Sequence, residues 1–427
     1  MTEPISVEEF LKRSVTTPVA DVRTPAEYEK GHIPRAVLFS LFNDRERAEV
    51  GTLYVQQGRT AAVLKGLELT GPRLGAMARR GLEIARGGAA AAEGSDAGGS
   101  AAGGSAAGGS AAGGPAAATE GSAAGPRSSG AAGESFAGSG SSAAASGSSA
   151  AESGSSAAES GSSTARSESS AAASGSSAAE SGSSAARSGS SLLLYCWRGG
   201  MRSASVAWLM ESVGVRCFTL ENGYKAYRNH LLGFFEHLPH PLKVLGGLTG
   251  SGKTERLHLM AEAGEQVIDL EGLAGHKGSA FGNLGLPPQP STEHFQNMLY
   301  DAFSHMDPAR PVWVEDESRN IGRCSLPDGL WDKMQQARFY LLDTPLEERV
   351  ERLMREYGNF DPDMLETAIL KIQKRLGYDM SKKAVEACRC GNIRTALEIC
   401  LAYYDKAYTY QLETRKKNYG IHTFDTI

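Results

Sequence analysis

Apolar and polar positions alternate in blocks along this chain, stop at about residue 87, and resume at Leu192. Ile5–Phe10 opens a short helix, with Ser6 at the cap and Glu9 three residues later in a capping-box pattern. Pro18–Arg23 reads as a strand, after which Thr24 caps a second helix with Pro25 in its first turn. Gly31–Val37 turns into another strand. The polar, glycine-punctuated stretch 43–58 fits no single period, and Ala61–Leu69 is helical despite Gly66 inside it. Leu192–Leu194 is a short buried strand, Ser205–Ser212 an amphipathic helix with Val206, Leu209, Met210 and Val213 on one face, and Cys217–Leu220 a strand leading into a further helix.

Strands continue at Leu242–Leu245, at Val267–Ala274, which ends in acids, and at Val312 onward, with a helix over Glu255–Ala263. The last third is helical, and 345–353 and 370–376 present basic faces. Strand–helix alternation predicts α/β architecture with parallel sheets. The expected organisation is a first α/β domain in two parts, 1–86 and 191–235, a second α/β domain over 240–345, and a helical region over 346–427.

Between the two parts of the first domain, residues 87–190 are almost wholly Ala, Gly, Ser and Glu, in repeated S-A-A-G-G and S-G-S-S-A-A units. Too little apolar surface exists there to offset the entropy of ordering, so the segment is expected to be disordered. A coil of roughly 105 residues spans about 55 Å, yet closing it costs little, since each doubling of loop length adds only about 0.6 kcal/mol.

With 427 residues and 41% hydrophobic positions, the chain has material for two or three cores, and its net charge of −5 does not advertise a nucleic-acid binder. Six cysteines show no disulfide-framework or zinc spacing, so they read as reduced thiols in a cytoplasmic protein without a structural metal. No run of 18 apolar residues occurs and the N-terminus carries acids, which argues against a membrane span or export signal. Nothing in the pattern calls for an obligate protein partner.

Chemistry concentrates at two turns. Tyr195-Cys196-Trp197-Arg198-Gly199-Gly200-Met201-Arg202 lies between a strand and a helix. Gly199 and Gly200 allow backbone amides to curl toward the sulfur, while Arg198, Arg202 and the helix N-terminus add positive potential, a setting for a nucleophilic thiol. The second turn is Gly247-Leu248-Thr249-Gly250-Ser251-Gly252-Lys253-Thr254, a complete G-x-x-x-x-G-K-[ST] phosphate-binding loop. Its amides would cradle phosphate, Lys253 supply charge, and Thr254 meet phosphate or Mg²⁺. Asp269, Glu271, Glu315 and Glu317 stand at ends of following strands, where acids of a common site are expected.

The motif D-V-R-T-P-A-E-Y-x-x-G-H-I-P-x-A resembles the opening of rhodanese-type sulfurtransferase domains, whose active cysteine loop comes later in the domain. Together with N-D-R-E-R-A-E-V-G-T-L-Y-V-Q-Q-G, C-W-R-G-G-M-R-S, E-N-G-Y-K-A-Y-R, G-L-T-G-S-G-K-T, D-L-E-G-L-A-G-H-K-G-S-A-F-G, E-D-E-S-R-N-I-G and Tyr403–Glu413, it resembles the tRNA 2-selenouridine synthases. That resemblance covers nearly the whole chain outside the insertion. It implies a rhodanese domain joined to a P-loop domain that turns wobble 2-thiouridine into 2-selenouridine, through an S-geranyl intermediate made from geranyl diphosphate and then selenophosphate. Cys196 would transfer selenium and Gly66 would lie near the prenyl site, with no tightly bound cofactor. The tRNA would meet Arg349, Arg352, Lys371, Lys374 and Arg375, joined by the Arg415-Lys416-Lys417 run.

Three departures stand out: a shortened helical segment before the cysteine strand, Asn222 where a second glycine is usual, and Gly275 where a larger residue precedes the histidine. Two other readings remain open here. One is a rhodanese sulfurtransferase coupled to a nucleotide-binding P-loop domain; the other is a non-enzymatic RNA-binding module.

Overall fold

The first half is built on a five-stranded parallel sheet. In the computed structural model, which describes residues 3–87, 190–419 and 425–426, strand β1 (Glu3–Ile5) is followed by α1 (Val7–Ser14), β2 (Val19–Asp21), α2 (Pro25–Lys30) and β3 (Val37–Leu38). Helices α3 (Asp44–Thr70) and α4 (Leu74–Ala85) come next. Beyond the insertion, the chain forms β4 (Ser191–Tyr195), α5 (Met201–Ser212), β5 (Arg216–Leu220) and α6 (Gly223–Glu236). The low-complexity stretch expected to be disordered lies outside the described residues at 88–189.

Strand order is β1-β5-β4-β2-β3, every pairing parallel. The strand period of two sorts side chains between two cores. On one face Leu193, Tyr195, Phe218 and Leu220 pack with Phe10, Tyr224 and Tyr227. On the other, Leu192, Leu194, Cys196 and Cys217 pack with Ile84, Val206 and Met210.

The second half repeats the architecture. Elements β6 (Leu242–Gly247), α7 (Lys253–Glu262), β7 (Gln266–Ile268), α8 (Leu270–Ala274), α9 (Thr292–Ser304) and β8 (Val312–Glu315) lead to a two-stranded ribbon, β9 (Asn320–Ile321) and β10 (Cys324–Ser325). Then follow α10 (Asp328–Gln336), β11 (Arg338–Leu342), α11 (Leu346–Tyr357), α12 (Pro362–Lys371), α13 (Gln373–Leu376), α14 (Tyr378–Arg389), α15 (Ile393–Tyr419) and β12 (Asp425–Thr426). The sheet order β12-β11-β6-β8-β7 is again all parallel. Helices α11, α12, α14 and α15 bury a separate core around Val350, Leu353, Leu365, Ala384, Leu397 and Leu401.

The two halves do not meet across a bare linker. One continuous core runs from Tyr195 and Tyr224 through Phe235 to Phe295, Phe303 and Val314. Polar contacts stitch its edge: Asn297 Nδ2 donates to Tyr224 Oη (2.7 Å) and to the His32 carbonyl (2.8 Å), and Arg228 donates to Asn297 Oδ1 at 2.7 Å. Among the described residues no helix is long and apolar enough to cross a membrane, and all six cysteines are free.

Several expectations need correction. Ile5 ends an edge strand, β1, and the helix starts at Val7, although Ser6 does cap it by accepting from Glu9 N. The stretch 43–58 is helical, the first part of α3; Gly58, with φ +86°, breaks it. Its periodicity is hidden because only Ala62, Gly66 and Thr70 of the 27 residues are buried, so no apolar stripe marks a core face. The strand expected over 267–274 stops at Ile268, where Asp269 turns the chain by capping α8 through Gly272 N. The basic segment 370–376 is two short helices parted at Ile372, and Val213 is exposed beyond the end of α5.

Candidate active site

Cys196 follows β4 directly, and Gly200 is the N-cap of α5. The Gly200 amide donates to Cys196 Sγ at 3.3 Å, and Ser203 Oγ lies 3.4 Å from the sulfur. The sulfur thus lies at the N-terminus of α5, within reach of that helix's first amides. Cys196 is 3% exposed, so a reagent reaches its sulfur only as the loop yields.

The loop is held from α6. Tyr224 N donates to the Cys196 carbonyl (2.8 Å) and Lys225 N to the Trp197 carbonyl (3.0 Å). This close approach requires glycine on both sides: a β-carbon on Gly223 would stand 2.3 Å from Cys196 O, and one on Gly199 2.7 Å from Leu220 O. Both have positive φ, +59° and +62°.

The two arginines part company. Arg198 is exposed, whereas Arg202 forms a 2.6 Å ion pair with Glu27, which also closes the cap of α2 through Thr24 N. Arg202 therefore fastens α5 to α2, its charge largely spent on that carboxylate. Asp21 and Arg23 form a fully buried pair at 2.6 Å, with the guanidinium 3.8 Å from the centre of the Tyr224 ring. Gly66 is buried on α3, and a β-carbon there would meet the Phe42 ring at 3.3 Å, a packing reason for glycine at that position.

In the second half, Gly247–Thr254 joins β6 to α7, with Gly250 and Gly252 at positive φ. Lys253 Nζ lies back on the Gly247 carbonyl at 3.3 Å. Ser251 Oγ is buried without a hydrogen-bond partner, and a β-carbon on Gly247 would stand 2.5 Å from it.

Three of the four acids named from the sequence converge beside the loop. Thr254 Oγ1 is 3.4 Å from both Glu271 and Glu315, Glu315 accepts from Glu271 N at 2.7 Å, and Glu317 and Glu271 both crowd Gly278. Burial, then the nearby Glu271 charge, pushes the Glu315 carboxyl up to about 8. Burial likewise raises Glu317 well above the carboxylate range and raises Glu271. Asp269 stays apart as the α8 cap and lies 3.3 Å from His258.

Sequence reasoning passed over Asp316. It points away from Glu315 and Glu317, as alternation along a strand end demands, and is bonded by Arg415 (2.8 Å) and Tyr408 Oη (2.9 Å). An acid flanked by two other acids gave no separate signal.

Among the basic residues expected at RNA, Arg349 is buried: it grips Asp405 at 2.7 and 2.8 Å and also reaches the Thr249 carbonyl. Arg415 is buried against Asp316. Neither reaches the surface, and each guanidinium is held by a carboxylate that offsets part of the cost of burying its charge. Arg352 lies against the phosphate loop, donating to the Gly250 carbonyl at 2.7 Å. Lys371, Lys374 and Arg375 are exposed on α12 and α13.

The Asn222 and Gly275 departures have local causes. Each sits in the left-handed region, φ +56° and +59°, which glycine and asparagine tolerate best. Helix α4 ends at Ala85, just before the low-complexity stretch begins.

Comparison with known proteins now decides the family. The family model for the tRNA 2-selenouridine synthase AAA domain matches residues 240–424, and that for the rhodanese-like domain matches 6–62, ending ahead of the insertion. The tRNA 2-selenouridine synthase of Shewanella frigidimarina is 38% identical over 260 residues, covering 52% of this chain and 69% of that protein. The chain belongs to the tRNA 2-selenouridine synthase family. Members from Hydrogenovibrio crunogenus (37% over 257 residues, 52% and 69% covered) and Sulfurovum sp. (37% over 254 residues, 52% and 68% covered) are similar to it to the same degree. The cysteine turn and the glycine-rich loop each lie at the carboxyl end of a parallel strand, where α/β proteins bind their ligands.

Proposed function

We propose that this chain converts 2-thiouridine at the wobble position of tRNA into 2-selenouridine in two steps. In the first, the thiouridine sulfur attacks C1 of geranyl diphosphate, the C–O bond breaks, and diphosphate leaves. The amides of Gly250–Thr254 and the Lys253 ammonium receive the negative charge that develops on the departing oxygen. The selenium of selenophosphate then attacks C2, the C–S bond breaks and geranylthiol leaves, and water cleaves the Se–P bond to release phosphate and 2-selenouridine, with Cys196 as the residue assigned to this selenium-transfer step. Lys371, Lys374 and Arg375 contribute to tRNA backbone contacts.

One observation carries this reading: a helix-capped thiol and a phosphate loop rest on two sheets that share a single core. Gly66 is retained as a neighbour of the prenyl chain only through the resemblance. A Mg²⁺ ion fits the chemistry beside the loop, where Thr254 and crowded carboxylates offer hard oxygen donors. Among the described residues no three acidic, histidine or cysteine side chains form a metal cluster, so Thr254, one carboxylate and the substrate phosphates would hold it together. When bound, the ion would supply charge neutralisation for the leaving diphosphate.

The test is mass spectrometry of nucleosides from 2-thiouridine tRNA incubated with the protein, geranyl diphosphate and selenophosphate. Wild type is expected to give selenouridine, Cys196→Ala to stop at the geranylated nucleoside, and Lys253→Ala to leave thiouridine unmodified. Unchanged geranylation by Lys253→Ala would remove the phosphate loop from the first step. Cyanide-dependent turnover of thiosulfate with no change to tRNA would instead establish a sulfurtransferase.

A further inference from the structure

Helix α15 lies outside both motifs, yet it sends side chains to the backbone around the phosphate loop. Tyr404, Tyr408 and Arg415 fall within one narrow stripe of a helix, at offsets of four and eleven residues. Tyr404 Oη accepts from Ala280 N at 3.0 Å in the loop after α8. Asp405 holds Arg349, whose Nη1 donates to the Thr249 carbonyl at 3.1 Å. Tyr408 Oη accepts from Gly247 N at 3.0 Å and donates to Asp316 Oδ2 at 2.9 Å.

The tyrosine hydroxyl is built into β6. A β-carbon on Gly246 would stand 2.0 Å from Phe339 Cζ and 2.5 Å from the phenol oxygen, so both rings close on the residue before the loop and leave room only for glycine. Arg415 fixes the other oxygen of Asp316, and burial raises the phenol far above its ordinary range, so it stays a donor. The later part of the loop is tied elsewhere: Arg352 donates to Gly250 O, and Thr344 Oγ1 to Ser251 O at 3.1 Å. Gly247 also pairs with Leu342 of β11 and its carbonyl receives Lys253 Nζ, so Tyr408 is the side chain that fixes its amide, ahead of the buried and unpartnered Ser251 hydroxyl.

We propose that Tyr408 is a positioning residue for the diphosphate site, presetting the Gly247 peptide so that the amides after it converge on phosphate before the ligand arrives. The inference rests on the reading of Gly247–Thr254 as a diphosphate site. Losing one buried hydrogen bond of this kind corresponds to about tenfold in affinity.

The experiment titrates the full chain with inorganic diphosphate by calorimetry and measures geranylation kinetics, comparing wild type, Tyr408→Phe, Tyr404→Phe and Lys253→Ala. Tyr408→Phe is expected to bind about tenfold more weakly and to raise KM for geranyl diphosphate by a similar factor, with kcat changed by less than about twofold. Tyr404→Phe, a loss of comparable size on the same helix, is expected to keep wild-type affinity. Equal affinity of Tyr408→Phe and wild type, with Lys253→Ala impaired, would overturn the inference alone. Absence of diphosphate binding by wild type would overturn the underlying reading and the inference with it. Hydrogen exchange of wild type needs no variant: the Gly247 amide is expected to be protected before ligand is added, and exchange at the rate of an open loop would overturn the proposal.

Discussion

Replacing Gly223 by alanine tests whether the cysteine loop is held by backbone contact. The added carbon would stand 2.3 Å from Cys196 O, 2.4 Å from Gly199 N and 2.8 Å from Arg198 N, all backbone atoms that cannot rotate aside. A left-handed residue with a side chain costs roughly 1–2 kcal/mol, and overpacking costs about 1–3 kcal/mol, so about 3 kcal/mol is expected in total. For a domain of this size that is a fall of about 6–12 °C in Tm. Relief requires Tyr224 N and Lys225 N to leave the Cys196 and Trp197 carbonyls, which would uncover the sulfur. Thermal unfolding followed by circular dichroism, together with peptide-resolved rates of Cys196 alkylation, measures both effects. Melting within about 2 °C of wild type, about half a kcal/mol on the same scale, with unchanged alkylation would refute the argument.

Asn222→Gly is expected to leave stability within about 1 kcal/mol of wild type, because φ +56° suits both residues, while Asn222→Val lowers the melting temperature clearly; equal melting of all three would count against the left-handed assignment. Arg349→Leu leaves Asp405 without its partner and is expected to cost about 3 kcal/mol, at the low end for a buried pair because Asp405 is 27% exposed; a surface-like loss below about 0.5 kcal/mol would return Arg349 to the RNA candidates. Lys371→Glu with Lys374→Glu, by contrast, should leave melting unchanged while weakening tRNA binding and flattening its salt dependence, and salt titrations that match wild type would exclude that face. For Glu315 the folded carboxyl titrates at about 8, above the ordinary 4.5, so the folded state holds the extra proton and stability is lost as pH rises between those values. Melting temperature should therefore fall from pH 6 to pH 9, and Glu315→Gln should reduce that slope; an unaltered slope would place the titration elsewhere.

By itself the sequence determined the local chemistry. The cap at Thr24, the strand leading to Cys196 and the glycine-rich phosphate loop depend on spacings of a few residues, and each formed where its spacing placed it. The unbroken apolar run Leu192–Leu194 also foretold a buried strand, and its side chains fill the cores on both faces of the sheet. Helix α3 was hidden for the opposite reason, because an exposed helix needs no apolar stripe. What only the tertiary structure decided is which charges are free and which are spent. Arg349 and Lys374 look alike in a basic helical stretch, yet one is locked on Asp405, 56 positions away, and the other faces solvent. Likewise Asp316 is separated from Glu315 and Glu317 by partners on α15, Tyr408 and Arg415. Pairing across such distances follows from how the helices pack, and packing depends on whole surfaces that no local pattern encodes.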